Sequence, residues 1–316
     1  MNIIIGLIAF ITYLTVSVYL HYKDYIYCRE ENQSDKNIIA SCKSFIKQNK
    51  IIIALNIIIT ALYVVLYKYH GNINFYYWGI LVITIGIIFI PRFKKVYKNY
   101  YFTKDYRDIY VLNYLSPDYS ISLYYKNRLK KEVKYNQADK IKQILTRFNY
   151  TNLLYTMLVF ILFYFYYFFI IKGRTSFEYT TGNVFLNMFI LYRTIARSME
   201  ITYAFYNDVK SSKKNSTLKS NQRIQLAVNS YIELILLFSM AYQITGAFSY
   251  DTLKDNIIRS FGIMTFTDID LTYYNYLGKY IPIGLGIRIL MILQIISSIT
   301  LVVFSIAKYI GGDEKN

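Results

Sequence analysis

Apolar residues in this chain arrive in blocks of roughly twenty, the length that crosses about 30 Å of hydrocarbon as a helix. The blocks fall at 2–20, 51–67, 76–91, 153–171, 184–206, 226–247 and 285–309, and they predict seven membrane spans. The connections between them alternate in charge. Residues 21–50 carry six Lys/Arg, 92–150 carry fourteen and 207–223 carry five. By contrast 68–75 hold Lys68 alone, and 172–183 hold Lys172 and Arg174. The positive-inside rule assigns the rich loops to the cytoplasm. The N-terminus is then outside, the C-terminus inside, and 248–284 faces out. No positive residue precedes the first block, which favours a retained helix over a cleaved signal.

The expected fold is therefore all-α, a polytopic protein of the plasma (cytoplasmic) membrane. Its parts would be an extra N-terminal helix (1–22), a basic loop (23–50), a four-helix peripheral bundle (51–206) with a basic insert (92–150), a basic linker (207–225), a helix–loop–helix unit (226–310) and a tail (311–316). Within the insert, Leu129, Val133, Ile141, Ile144 and Leu145 are spaced for one apolar face, so 126–148 reads as a surface helix.

Composition narrows the classes further. Hydrophobic residues make up 55% of the 316 and charged residues 17%, which leaves little for a soluble domain. The formal charge of +17 sits mainly in the inter-span loops. There it reports topology and anionic headgroups rather than nucleic acid. AT-rich coding accounts for much of the tyrosine (37 residues), and tyrosine also suits the membrane–water interface. Cys28 and Cys42 share one basic cytoplasmic loop, where thiols stay reduced, and their spacing fits no metal site. The glycosylation-like triplets at Asn32, Asn149 and Asn215 fall on the same side. His21 and His70 lie at span ends without zinc spacing, and no HExxH, Walker loop, GxSxG or CxxC occurs. Neither a cofactor, a metal nor catalysis is expected.

The segment between the last two blocks carries the candidate chemistry. Residues 256–264 (NIIRSFGIM) supply two to three helical turns, followed by Thr265-Phe266-Thr267-Asp268-Ile269-Asp270. A helix entering from outside would point its negative end at the membrane centre and favour a cation. In a symmetric oligomer Asp268 and Asp270 become carboxylate rings, which select cations. Thr265 and Thr267 would add oxygens at the narrowest point. Gln294, Ser298 and Ser305, at i, i+4 and i+11, form a polar stripe on the last span. That stripe reads either as a wetted lining or as helix–helix hydrogen bonding.

Ser260-Phe261-Gly262-Ile263-Met264-Thr265-Phe266-Thr267, then Asp268-Ile269, resembles the pore loop of the potassium-channel superfamily. The helix from Ile287-Arg288 through Leu293-Gln294 looks like that family's inner helix. The resemblance covers about 50 residues closely and the remainder only in topology. It implies a re-entrant pore helix and a homo-oligomer, with a tetramer favoured. The family's Gly-Tyr-Gly filter is absent, since Thr267 runs straight into Asp268. Potassium selectivity is therefore not implied.

The fifth span carries Arg193, Arg197 and Glu200 at i, i+4 and i+7, and the sixth carries Glu233. Unpaired charge at the bilayer centre costs from about 3 kcal/mol upward, so these groups should find partners. Arg197 can pair with Glu200 along the helix, and Arg193 or Arg197 with Glu233 across helices. The fifth span occupies the place of the voltage-sensing helix in six-span members of the resembled family. Two arginines four apart do not make that family's every-third-residue repeat.

The expected function is an oligomeric cation channel or channel-like protein. Its ion pathway would pass Thr265, Thr267, Asp268, Asp270, Gln294 and Ser298. Its expected partners are membrane lipids, further copies of itself and a soluble partner at the 92–150 loop, with no nucleic acid. Two alternatives remain at this level: a membrane-anchored interaction or effector subunit with a vestigial pore loop, and a transporter or lipid-modifying membrane enzyme.

Overall fold

The computed structural model describes residues 15–16, 18–23, 138–167, 181–210, 218–245, 253–269, 272–274, 280–282 and 285–306. The spans expected at 51–67 and 76–91, most of that at 2–20, and the greater part of the 92–150 insert lie outside the described residues. Among the described residues five helices dominate: α1 (Ala138–Tyr166), α2 (Thr181–Lys210), α3 (Ser220–Thr245), α4 (Leu253–Met264) and α5 (Leu285–Ser298). The last passes directly into a π-helical stretch, Ile299–Ile306. The described residues also include helical ones at 15–16 and 18–23 and a short antiparallel hairpin, β1 (Thr272–Tyr274) with β2 (Tyr280–Pro282), in which Tyr273 faces Ile281 in register.

Among the described residues two stretches, Leu145–Phe165 and Ser220–Thr245, are long and apolar enough to cross a membrane. They belong to α1 and α3. α1 is longer than the apolar block that predicts it, because no Gly or Pro interrupts 138–152 and the helix simply continues into its polar approach. The described end of the surface helix expected at 126–148 is thus the first turns of α1. α2 is also longer than its block, running from Thr181 to Lys210.

Two compact units divide the chain, one of Met1–Lys134 with Thr180–Ala196 and one of Tyr135–Tyr179 with Arg197–Asn316. In the first, His21, Tyr22, Ile190, Leu191, Tyr192, Arg193, Thr194 and Ala196 are buried. The second holds the remaining helices around α3, whose buried side chains run from Ser220 to Ile244.

Hydrogen bonds fix the directions of the helices in this second unit. Asn149 donates to Ser230 Oγ at 2.9 Å and Thr156 to Glu233 at 3.3 Å, so α1 and α3 run parallel. Arg197 meets Glu233 while Asp208 meets Arg223, so the second half of α2 runs antiparallel to α3. The start of α3 is held twice. The Gln222 side chain accepts the Lys219 N–H at 3.2 Å, which is half of a capping box. Arg223 donates to the Leu218 carbonyl at 3.2 Å while pairing with Asp208.

α4 returns along α3 in the opposite direction. Asn256 donates to Gln243 at 2.8 Å, and one turn further on Ser260 donates to the Ile235 carbonyl at 2.9 Å. Against α5 it runs parallel. The Gln294 amide donates to both the carbonyl and the hydroxyl of Ser260 at 2.9 Å, and Ser298 donates to the Met264 carbonyl. The end of α4 therefore lies level with the middle of α3 and of the α5–π helix.

Gln294 also accepts the Tyr242 hydroxyl at 2.5 Å, so one fully buried side chain ties α3, α4 and α5 together. Gln294→Leu would remove the buried acceptor of the Tyr242 hydroxyl and both donors to Ser260. A loss of about 2–3 kcal/mol is expected, read as a lower thermal midpoint in detergent.

Candidate functional site

The tip of α4 is a compact capped turn. Thr267 N–H donates to the Gly262 carbonyl at 2.8 Å and Phe266 N–H to the Ile263 carbonyl at 3.2 Å. This pair of bonds is a Schellman motif with Phe266 in the left-handed position, at φ 62°. Glycine is the usual occupant there, because a side chain crowds the carbonyl. Two hydroxyls complete the cap. Thr265 Oγ1 donates to the Phe261 carbonyl at 3.0 Å, and Thr267 Oγ1 lies 3.3 Å from the Gly262 carbonyl and 2.9 Å from Thr265 Oγ1. With Met264 bonded to Ser298, each of the last four carbonyls of α4 has a donor.

Gly262 is required by a close approach. A Cβ at this position would stand 2.6 Å from Asp268 Cβ, since the chain folds back over the helix end. That fold-back leaves Thr267 exposed and Thr265 and Asp268 half-buried at the tip. Asp270 lies outside the described residues.

Gln294 and Ser298 take the second of the two roles open to them from the sequence. Both are fully buried and bonded to Tyr242, Ser260 and Met264, so they hold α4 in place rather than face an open path. Among the described side chains of α5 the exposed ones are Ile289, Ile292 and Ile296. The 3.6-residue period that would carry the stripe on to Ser305 ends at Ser298, where the π winding begins.

The second constellation is a buried charge cluster. Arg197 addresses Glu233 with a two-point fork, Nε to Oε1 at 2.8 Å and Nη2 to Oε2 at 2.7 Å, and reaches Glu200 with Nη1. Glu233 is fully buried and also accepts from Thr156. Arg197 thus joins α2 to α3 through matched planar groups, the geometry in which a guanidinium satisfies a carboxylate best. Arg193 is completely buried in the first unit, one turn earlier on α2.

Next to Arg197, Ser198 and Ser297 share a hydrogen bond of 2.6 Å, and Thr202 donates to Ser297 at 2.9 Å. These small hydroxyls fasten α2 to α5. Sequence reasoning passed over them and Tyr242, and it named Ser260 and Asn256 only as parts of the expected pore helix. The available signal was spacing: Ser198 and Thr202 stand four apart, as do Ser260 and Met264, matching Gln294 and Ser298.

Searches against protein-family models, curated proteins and solved structures return no match. The likeness to the potassium-channel superfamily rests on the residues of the chain alone.

Removing one member of a buried ion pair leaves an uncompensated charge. Arg197→Met is expected to cost about 3–5 kcal/mol, and Arg197→Met with Glu233→Leu substantially less, measured by thermal unfolding in detergent. At the tip, Phe266→Gly should stabilise by about 1 kcal/mol through relief of the left-handed side chain. Gly262→Ala should destabilise by a larger amount in the same assay, because the Asp268 backbone must move.

Proposed function

We propose that this chain is an integral membrane protein that assembles through its C-terminal unit into an oligomeric cation channel. The observation that carries the reading is the placement of α4. A twelve-residue helix runs back along α3, is fastened by buried hydrogen bonds, and stops level with the middle of two apolar helices. In a bilayer this is a re-entrant helix, and irregular backbone at that depth is stable only when buried in protein or lining water. The parallel course of α1 and α3, with α2 and α5 opposed, supports the in–out alternation drawn from the loop charges.

The chemistry of the tip favours cations without a potassium-type filter. All four terminal carbonyls of α4 are engaged by donors of the same chain, so they are not arrayed toward an ion. The negative helix end, the Asp268 carboxylate and the Thr265 and Thr267 hydroxyl oxygens remain to attract one. One chain offers too few ligands, so several copies, favoured as four, would bring their tips to a common axis. The Arg197–Glu233 pair and the Ser198–Ser297 bond would join the peripheral helices to this unit.

Asp268→Asn tests the role of the tip. Single-channel conductance for sodium and potassium in planar bilayers should fall several-fold, and potassium should not be preferred over sodium. Unchanged conductance in an active preparation would remove Asp268 from the pathway. Absence of any current from pure wild-type oligomer would remove conduction itself.

A further inference from the structure

Phe266 holds the left-handed position of the turn beyond α4, at φ 62°. Glycine or asparagine takes that conformation most easily, and a bulkier side chain is crowded there. The turn is nonetheless tightly fixed. Thr265, Phe266, Thr267 and Asp268 donate their N–H groups to the carbonyls of Phe261, Ile263 and Gly262 at 2.8–3.2 Å. The backbone therefore has one course, and the phenyl ring moves only about its own side-chain bonds.

The core of the unit does not consume this ring. Ile263 and Met264, just before it, are fully buried, whereas Phe266 keeps 40% of its surface exposed. Thr265 and Asp268 are half-buried and Thr267 is exposed. Three polar side chains and a phenyl thus share one tip, at the depth that Ser298 fixes through the Met264 carbonyl. Strained backbone that its surroundings hold in place concentrates at functional positions. A strained residue that presents an apolar ring among oxygens, and gives the core little, has its task outside the subunit.

We infer that Phe266 is the constriction of the ion path, the residue that limits the size of cation able to pass. The inference rests on the oligomeric channel proposed above. In that assembly the tips meet at a common axis, so the ring is repeated around it once per subunit. The neighbouring hydroxyls and carboxylate can hydrogen-bond to water. A phenyl ring cannot, and an apolar collar narrows the wetted path. Asp268 attracts the ion, and Phe266 limits its girth.

The test uses full-length protein in planar bilayers, with sodium on one side and tetramethylammonium on the other. The reversal potential gives the permeability of the organic cation relative to sodium. Phe266→Ala removes the ring and keeps the crowded backbone, and should raise that ratio at least about threefold. Phe266→Gly, whose relaxed backbone favours folding, should match it. Ile269→Ala, which shortens the other exposed apolar side chain of the tip, should leave the ratio as it is. An unchanged ratio or a lost current in Phe266→Ala and Phe266→Gly, while wild type conducts, would overturn the constriction and leave the channel standing. A rise in Phe266→Gly without one in Phe266→Ala would also overturn it, by tracing the effect to the backbone. So would an equal rise in Ile269→Ala, by showing a general loosening of the tip. Absence of sodium current from wild type and every variant would overturn the channel reading together with the constriction.

Discussion

The carboxamide of Gln294 is the point on which the C-terminal unit is organised. Removed entirely from solvent, it accepts from Tyr242 on α3 and donates twice to Ser260 on α4. An amide in an apolar surround loses several kcal/mol if its partners are missing. Only one relative placement of the three helices satisfies it. Ser298, one turn along α5, repeats the tie at Met264 and so fixes the depth at which α4 ends. Apolar packing alone would let a short helix slide between two long ones. The polar bonds set its register.

The charge cluster works at a different level. Arg197 and Glu233 together bring ionised groups into a buried place, and such a pair adds little over well-packed apolar side chains. What it supplies is discrimination, because a shift of α2 against α3 by one turn would pull Arg197 away from the buried Glu233 carboxylate. Ser198 and Thr202 extend the same segment of α2 to Ser297 on α5. Ser297 and Ser298 are neighbours on α5. The segment that holds Arg197 and the tip of α4 are thus tied to consecutive residues of one helix.

Hydrophobic blocks located the cores of α1, α2, α3 and α5, and the stretch 256–264 located most of α4. They did not locate the ends. Leu253 to Asp255 begin α4 earlier than expected, and Ala138 begins α1 well before the apolar run, since a helix propagates through polar residues as readily as apolar ones. The roles of the polar residues were harder to read. Gln294 and Ser298 share a face in any α-helix, yet whether that face meets water or a neighbour depends on where Ser260 and Met264 lie. Ser305 was placed with them by assuming a constant period. That assumption fails because Ile299–Ile306 is wound as a π-helix, next to hydroxyls of Ser297 and Thr300 that bond back to Leu293 and Ile296. The turn at Phe266 was not legible either, as a phenylalanine gives no signal for left-handed backbone.

The complete capping of the end of α4 has a consequence for anything positively charged that arrives there. Stripping an ion of its water requires replacement oxygens aimed at it from several directions at once. Here the peptide oxygens of the helix end are already committed, and among the described residues of the tip one carboxylate, Asp268, with a pair of hydroxyls cannot stand in for a full hydration shell. In the proposed oligomer an ion at this tip would travel with most of its water still attached, so charge sign and bore width, rather than the size of the bare ion, would decide what passes.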